Sequence, residues 1–251
     1  VFGLVFVNIH ENNILEQATF FKPLFQEHLT MLRGENLVKS YGSLTVLKGV
    51  SIEIAKAEIT AIVGASGAGK STLLHILGTL DTPDKGQVYL EDKQVFAQSR
   101  EELADFRNQH MGFVFQFHNL LPEFSALENV MIPGLIGKRK EAIVKKKAIE
   151  LLTLLGLKDR VNHKPSQLSG GEQQRTAVAR ALVNGPKLVF ADEPSGNLDS
   201  RNAHELHELF LNLRKEFGFS FVIVTHNLSF ASMADRTLEM KDGLLVKSIP
   251  A

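Results

Sequence analysis

The sequence predicts an α/β fold with a helical insertion, and three observations support that prediction. An apolar run, Ile59–Val63, leads through a glycine-rich loop into a helix-like run at 72–77. Two further apolar runs, at 188–191 and 221–225, are separated by a helical pattern. Between these two parts, roughly seventy residues after Gln116 show helical periods and few strand signals. Because strands alternate with helices, we expect a parallel sheet into which a helical segment is inserted.

The other elements follow in chain order. Strands are expected at 32–40 and 45–54, separated by a turn at 41–43, because apolar residues in the second run alternate with polar or small ones. Further along, the pattern predicts strands at 87–90 and 111–115, helices at 101–108, 127–132, 140–155 and 201–217, and a hairpin at 236–246.

The first 31 residues differ from the rest. Residues 1–7 are apolar, but no basic residue precedes them and no small-residue cleavage site follows, so a secretory signal is not expected. Met31 stands directly before the first clear strand. We therefore expect Met31 to be the natural start and residues 1–31 to be an extension. The alternative is an amphipathic surface anchor, which the segment's one lysine and three glutamates disfavour on an anionic membrane.

Composition excludes several classes of protein. Lysine plus arginine and aspartate plus glutamate both number 28, so no overall positive field would attract nucleic acid or a membrane surface. The absence of cysteine excludes disulfides and thiolate metal sites. No run approaches the roughly 18 apolar residues that span a bilayer, so, if the protein works at a membrane, we expect the membrane part to come from another chain.

The glycine-rich loop at 64–71 reads G-x-x-x-x-G-K-S between a strand and a helix, the context that a phosphate-binding loop requires. Its backbone N–H groups can surround phosphates at a helix N-terminus. Lys70 would add a positive charge to the β- and γ-phosphates, and the Ser71 hydroxyl would bind Mg²⁺. The loop therefore predicts a nucleoside triphosphate site.

Two carboxylates, Asp192 and Glu193, follow the buried strand predicted at 188–191. The carboxyl end of such a strand lies beside the phosphate loop in a parallel sheet. We therefore predict that Asp192 holds the Mg²⁺ shell and that Glu193 orients or deprotonates the attacking water as general base.

A second anion site is predicted at 168–175, where Ser169 can cap a helix that begins near Glu172. Gly170 and Gly171 leave that helix N-terminus bare of side chains. This site and the loop at 64–71 are both suited to bind the same γ-phosphate, although about a hundred residues separate them in the chain. A head-to-tail dimer with nucleotide between two copies would reconcile them.

Together these motifs identify a family. The segments 64–71, Gln116, 168–175, 192–193 and His226 resemble, in this order, the Walker A, Q-loop, signature, Walker B and switch-histidine motifs of ATP-binding cassette ATPases. The resemblance runs from residue 32 to about residue 246. It implies a P-loop NTPase (RecA-like) core with an N-terminal antiparallel β subdomain and a helical subdomain inserted at about 116–186, within an ATPase domain at 32–251.

The resemblance also implies roles for individual residues. Tyr41 matches the aromatic that stacks on adenine, and 195–199 matches the D-loop that crosses the dimer interface. Gln116 matches the residue that contacts Mg²⁺ and water, and His226 matches the histidine that contacts the γ-phosphate. Catalysis is thus expected of Glu193, His226 and Gln116, and Mg²⁺ binding of Ser71, Gln116 and Asp192. The expected ATP contacts are Tyr41, Gly64, Ala65, Ser66, Gly67, Ala68, Gly69, Lys70, Ser71, Thr72, Ser169, Gly170, Gly171 and Glu172.

Segments 191–199 and 112–130 are similar to the branch that includes lipoprotein-releasing, macrolide-export and cell-division ATPases, and 112–130 is most similar to the lipoprotein-releasing members. Ser195 stands where the branch commonly has threonine, which keeps the hydroxyl. The resemblance implies a homodimeric ATPase, peripheral at the cytoplasmic face of the inner membrane, that powers a permease docked near Gln116–Asn129. Lipoprotein release is the expected process.

Other functions stay open at this point. The alternatives are an ATPase that regulates cell-wall hydrolases in cell division and a macrolide- or peptide-export ATPase, since the motifs of all three coincide. A soluble ATPase of DNA repair or translation is disfavoured by the single phosphate loop, and a small GTPase by the lack of an Asn-Lys-x-Asp motif. No nucleic acid partner is expected.

Two other clusters have simpler interpretations. The basic runs at 138–140 and 145–147 flank one helix, so we expect a solvated helical face. His204 and His207 lie three residues apart on one predicted helix, but the spacing lacks a third ligand. We therefore expect both histidines to be surface residues.

Overall fold

The structure is a computed structural model that describes residues 30–250, with side chains described as far as Val246. The expectations for residues 1–29 lie outside this part of the chain. Its strands are β1 Thr30–Tyr41, β2 Leu44–Ala55, β3 Ile59–Val63, β4 Lys85–Leu90, β5 Lys93–Gln94, β6 Met111–Phe115, β7 Leu188–Asp192, β8 Ser220–Val224, β9 Arg236–Lys241 and β10 Leu244–Pro250. Its α-helices are α1 Lys70–Leu77, α2 Arg100–His110, α3 Ala126–Ile136, α4 Glu141–Leu154, α5 Gly170–Leu182, α6 Ser200–Phe217 and α7 Leu228–Ala231. Short 3₁₀ turns lie at Val95–Ala97, Lys158–Arg160 and Pro165–Gln167.

The first sheet is antiparallel, with strand order β2-β1-β4-β5. A two-residue turn joins β1 to β2, with Tyr41 paired to Leu44. Gly42 adopts φ 61° in this turn, a conformation that glycine reaches without the steric cost of a Cβ. The turn places Tyr41 at the tip of this sheet.

The second sheet has the order β10-β9-β3-β8-β7-β6, in which the five strands from β9 to β6 run parallel to one another and β10 pairs antiparallel with β9. All residues of β3 and β8 are buried, as expected for parallel strands covered on both faces. In this register Phe115 pairs with Asp192, and Asp192 pairs with Val224. The segments that follow β3, β6, β7 and β8 therefore emerge together at one edge of the sheet.

Two apolar cores cover the two faces of the parallel sheet. Ile59, Ala61 and Val63 of β3 pack into one core, together with apolar residues of α3, α4, α5 and α6. Ile62 packs into the other, with the antiparallel sheet and α1. The alternation of side chains along β3 accounts for this division. The sheet is thus held between two packed layers and forms a fixed base for the loops at its carboxyl edge.

Serine caps fix where three helices begin. In each, the hydroxyl accepts the backbone N–H of a glutamate three residues on, and the glutamate carboxylate accepts the serine N–H in return. The pairs are Ser99 with Glu102 at α2, Ser125 with Glu128 at α3, and Ser169 with Glu172 at α5. The cap predicted at Ser169 is confirmed.

Most predicted elements are present within a few residues of their predicted bounds. The helix predicted at 127–132 was too short, because α3 continues through Pro133 to Ile136. Asn108 and Asn184 both donate side-chain hydrogen bonds to the Pro133 carbonyl, which ties this last turn to its neighbours. Within residues 30–250 no helix is both long and apolar enough to cross a bilayer.

Candidate functional site

A cleft of about 620 Å³ opens at the carboxyl edge of the parallel sheet. It is lined by the glycine-rich loop and by side chains that come from distant parts of the chain, namely Tyr41, Gln116, Glu193 and His226. The sheet register explains this convergence, because the last three follow β6, β7 and β8. From the loop, Gly64, Ser66, Gly67, Gly69, Lys70, Ser71 and Thr72 line the cleft. Ala65 and Ala68 do not, and Ala68 is buried in the core.

Two glycines give the loop its path. Gly64 has φ 150°, and a Cβ at this position would collide with the Met240 carbonyl oxygen of β9. Gly69 has φ 101° and directly precedes the first residue of α1. Both residues hold conformations that side chains with a Cβ rarely adopt, so the loop depends on glycine at these two positions.

The side chain of Lys70 folds back onto the start of the glycine-rich loop. Its ammonium donates hydrogen bonds to the Gly64 carbonyl at 2.9 Å and to the Ala65 carbonyl at 3.0 Å. The residue is only 9% exposed. A positive charge thus lies at the N-terminus of α1, where backbone N–H groups already favour an anion.

Ser71 and Asp192 meet beside the cleft. The Ser71 hydroxyl donates to Asp192 Oδ1 at 3.1 Å, and His75 Nε2 lies 3.9 Å from Asp192 Oδ2. Burial raises the pKa of the Asp192 carboxyl, although the Ser71 hydrogen bond opposes that shift. A hydroxyl and a partly buried carboxylate are hard oxygen donors of the kind that Mg²⁺ prefers. These residues fit a magnesium ion by their chemistry.

Glu193 and His226 form a pair across the ends of β7 and β8. Glu193 Oε2 lies 2.9 Å from His226 Nδ1 and accepts the His226 backbone N–H at 3.2 Å. The Glu193 backbone adopts φ 47°, which is uncommon for a residue with a side chain and recurs at functional sites. Its own N–H donates to the Val224 carbonyl at 2.9 Å, which holds this conformation.

Gln116 is tied to the segment 195–199, called here the D-loop. Its side-chain N–H donates to Asn197 Oδ1 at 3.1 Å, and Asn197 Nδ2 donates to the Gln116 carbonyl at 3.1 Å. A Cβ on Gly196 would lie 2.8 Å from Gln116 Nε2, so the loop packs closely against this side chain. The sequence did not indicate this pairing, because nothing in either segment alone identifies its partner.

Tyr41 lies at the rim of the cleft and is 51% exposed. Its hydroxyl donates to Asp81 Oδ2 at 2.5 Å, and this hydrogen bond raises the pKa of Tyr41. Lys39 bridges the pair, with its Nζ 2.7 Å from Asp81 Oδ1 and 5.2 Å from the centre of the Tyr41 ring. These contacts fix a neutral aromatic ring at the rim.

The predicted second anion site is separate from the cleft. The described residues that line the cleft do not include Ser169, Gly170, Gly171 or Glu172. At the start of α5, the Glu172 carboxylate accepts hydrogen bonds from the Ser169 backbone N–H and from Arg160 Nε, the latter at 2.9 Å. These hydrogen bonds lower the pKa of the Glu172 carboxyl. Gly170 is open, because among the described side chains and backbone only Leu198 comes within 4 Å of the position of a Cβ, at 3.7 Å.

The expectation that both His204 and His207 are surface residues is wrong for His207. His204 is exposed, whereas His207 is 3% exposed and stacks on Phe230. Ala203, Leu206 and Phe210 of the same helix are also buried, so His207 falls within the apolar stripe of α6. That periodicity was the signal that could have identified it. Of the two basic runs, Lys138, Lys140, Lys145 and Lys146 are exposed, as expected for a solvated face, whereas Arg139 and Lys147 are half-buried.

Comparison with known proteins gives consistent matches. The ABC transporter family model matches residues 47–196. The chain is 56% identical over 216 residues to the lipoprotein-releasing system ATP-binding protein LolD of Cytophaga hutchinsonii, which covers 86% of this chain and 99% of that protein. The protein of the same name from Bacteroides fragilis is 55% identical over 216 residues, covering 86% of this chain and 100% of its own length.

Solved structures show the same fold. A dimeric structure of a bacterial ABC transporter cassette matches with a TM-score of 0.81 and 38% identity, covering 88% of this chain and 98% of that one. A dimeric post-hydrolysis state of an ATP-binding cassette bound to ADP and Pi matches with a TM-score of 0.80 and 38% identity, over the same shares of the two chains. The predicted α/β fold with a P-loop core and an antiparallel β subdomain is thereby confirmed.

Proposed function

This chain belongs to the ABC transporter family as an ATP-hydrolysing subunit, and from that premise we propose that it drives lipoprotein release through a permease at the inner membrane. The observation that carries the assignment of the site is the convergence of Lys70, Ser71, Glu193 and His226 on one cleft. The lipoprotein substrate is proposed because relatives more than half identical over nearly their full lengths carry that name.

ATP would bind along the loop at 64–72. The backbone N–H groups of the loop and the N-terminus of α1 would surround the phosphates, and Lys70 would turn its ammonium from the loop carbonyls to the β- and γ-phosphates. The Tyr41 ring at the rim would stack on adenine. The exchange of two neutral carbonyl acceptors for anionic ones would favour the bound position of Lys70.

Ser71, Asp192 and Gln116 would hold Mg²⁺. When bound, the ion neutralises charge on the phosphates of ATP. The Asp192 carboxylate, whose burial disfavours its negative charge, would gain a cation beside it. Gln116 would serve through its amide oxygen, because its amide N–H already donates to Asn197.

Hydrolysis would be assisted by the Glu193–His226 pair. Glu193 would accept a proton from the attacking water, whose oxygen forms a bond to the γ-phosphorus while the bond to the bridging oxygen of ADP breaks. His226 would contact the γ-phosphate, and its close ring contact with Glu193, together with its backbone hydrogen bond to the same carboxylate, would hold both side chains at the cleft. ADP and inorganic phosphate leave as products.

A second copy of the chain would complete each site. Among the described residues, those that line the cleft do not include Ser169–Glu172 of the same chain. The start of α5 is open at Gly170. In a head-to-tail dimer this helix N-terminus would meet the γ-phosphate held by the other copy. Both solved structures described above show one similar cassette as a dimer.

The permease would dock near Gln116–Asn129. Phe117 is 70% exposed there, and Leu121 and Phe124 also expose large apolar surfaces. An adjoining groove of about 450 Å³ is lined by apolar side chains such as Phe113 and by two arginines, and its described lining contains no aspartate or glutamate. An apolar permease segment that carries a carboxylate would complement this groove.

Reconstitution tests the proposal. The full chain would be co-expressed with the permease genes of its own genome and placed in proteoliposomes that contain a labelled lipoprotein. We expect ATP-dependent transfer of the lipoprotein to a soluble acceptor, and no transfer with Glu193→Gln or with ADP. If the permease stimulates ATP hydrolysis by this chain but no lipoprotein is released, the proposed substrate would be contradicted. That result would favour the cell-division or macrolide-export alternative.

A further inference from the structure

His207 of α6 is buried between two segments of the catalytic edge. Its Nε2 lies 3.1 Å from Ser195 Oγ in the D-loop. Its ring stacks on Phe230 of α7 with centroids 4.1 Å apart and an angle of 28° between the planes. Ser195 is 9% exposed and Phe230 is fully buried, so both contacts are shielded from water.

The two contacted segments adjoin Glu193 and His226, two of the proposed catalytic side chains. Ser195 lies two residues after Glu193, and the Gly196 N–H donates to the Glu193 carbonyl at 3.0 Å. Phe230 lies four residues after His226, and the Phe230 N–H donates at 3.1 Å to the side chain of Asn227, the cap of α7. One imidazole therefore touches both the loop after β7 and the segment after β8.

We propose that His207 is a positioning residue that holds the D-loop and the His226 segment in one arrangement through its contacts with Ser195 and Phe230. The proposal rests on the proposed roles of Glu193 and His226. The direct contacts of Glu193 with the ring and the backbone N–H of His226 join the two segments at the cleft, and His207 joins them again behind it. Because the D-loop also pairs with Gln116 through Asn197, the link extends to the proposed permease surface.

The surroundings of His207 suit a fixed neutral ring. Burial lowers the pKa of His207 to about 4, with a smaller contribution from His204, so the ring is uncharged near neutral pH. Phe210 lies behind Phe230, with centroids 6.4 Å apart, and also contacts Phe221 of β8 at 5.1 Å. The stack thus has a rigid apolar support, and within residues 30–250 the Ser195 hydroxyl is the one hydrogen-bond partner of the His207 ring.

Separate substitutions can remove each contact. His207→Phe keeps an aromatic ring against Phe230 and deletes the hydrogen bond to Ser195. Ser195→Ala deletes the same hydrogen bond from the other side. His207→Gln keeps an amide that can reach Ser195 and loses the stack. His204→Phe, one turn away on the exposed side of α6, is the matched control.

Steady-state ATP hydrolysis by the full chain would give kcat and KM for each variant, with thermal unfolding as a check on folding. We expect His207→Phe and Ser195→Ala each to lower kcat about tenfold while KM stays within about twofold, because positioning acts on the reacting geometry and not on ATP binding. The double variant should be no slower than either single variant, since both delete one hydrogen bond. His204→Phe should retain the parent kcat.

Two results would overturn the proposal. One is a parent-like kcat for a folded His207→Phe or, where that variant does not fold, for Ser195→Ala. The other is a double variant whose loss is the product of the single losses. A parent chain that binds ATP but does not hydrolyse it would instead refute the proposed function, so the two failures are distinguishable.

Discussion

Glu193 Oε2 lies 2.9 Å from His226 Nδ1 and 3.2 Å from the His226 backbone nitrogen, so one carboxylate oxygen engages both the ring and the main chain of the histidine. The pair joins the residues that follow two adjacent parallel strands. Glu193 reaches it from a left-handed backbone conformation, which turns the chain at the end of β7. The catalytic edge is thus defined by contacts between loops that lie 33 residues apart in the chain.

Replacement of His226 by alanine should separate ATP binding from hydrolysis. The imidazole is exposed, and within residues 30–250 its close polar contact is with Glu193 and not with the glycine-rich loop, so ATP affinity should change little. We expect kcat to fall by about 10² or more, the range for loss of a positioned polar group. Steady-state hydrolysis and binding of a fluorescent ATP analogue would measure the two effects. His204→Ala, at an exposed histidine, should leave both unchanged, and hydrolysis by His226→Ala at the parent rate would refute the assigned role.

Replacement of Lys70 by methionine should act on binding. The side chain keeps its apolar length but loses the ammonium that would contact the phosphates. We expect ATP affinity to fall by about tenfold or more, because hydrogen bonds to charged groups contribute about 1.5–3 kcal/mol. Titration calorimetry with ATP would measure the change. Unchanged affinity for ATP would mean that Lys70 stays on the loop carbonyls when nucleotide binds.

Replacement of Asp192 by asparagine should stabilise the nucleotide-free fold while it removes activity. Burial raises the folded-state pKa of Asp192, so the ionised form destabilises the fold at pH values above that pKa. The variant should therefore unfold at a higher temperature than the parent at pH 7. The difference should shrink as pH falls through the folded-state pKa towards the unfolded value. Scanning calorimetry between pH 4 and 7 checks this, and a variant less stable than the parent at neutral pH would contradict it.

His207 should give the opposite dependence on pH. Its folded-state pKa of about 4 lies below the ordinary value of 6.5, so the fold favours the neutral ring. The resulting stability is complete above pH 6.5 and is lost as pH falls from 6.5 towards 4. Denaturant unfolding should show this loss in the parent and a smaller loss in His207→Phe. Parallel pH profiles for the two proteins would contradict this prediction, because they would mean that His207 has the same pKa in the folded and unfolded states.

The exposed ring of Phe117 offers a test of the docking surface. Phe117→Asp should weaken co-purification with the permease, because a charge replaces an apolar side chain at the proposed interface. Ile143→Asp is the matched control, since Ile143 is also a largely exposed apolar residue but lies on α4. Equal retention of the permease by both variants would place the interface elsewhere.

Local sequence was sufficient for the parts of the site that lie within one segment. The loop at 64–71, the two acids at the end of β7 and the serine cap at Ser169 all depend on residue types at fixed short spacings, which a sequence displays directly. The strands of the parallel sheet were predictable for a similar reason, because strands buried on both faces read as continuous apolar runs.

Contacts between distant segments were not predictable in this way. The Gln116–Asn197 pair joins residues 81 positions apart, and it depends on how the loops after β6 and β7 pack. His207 was misjudged because histidine was weighed as a polar residue, whereas its helical phase with Leu206 and Phe210 determines its burial. In both cases the tertiary arrangement supplied the partner that the local sequence lacks.

The central claim is that one ATP binds between the loop at 64–71 of one chain and Ser169–Glu172 of another, with Glu193 acting on the attacking water. Sedimentation of Glu193→Gln with ATP and Mg²⁺ tests it most directly, beside hydrolysis assays and the control Ser169→Arg/Glu193→Gln. We predict that Glu193→Gln binds ATP, hydrolyses it at least about a hundredfold more slowly and sediments as a dimer, whereas the double variant stays monomeric. Rapid hydrolysis by Glu193→Gln, or a monomer saturated with ATP, would contradict the account.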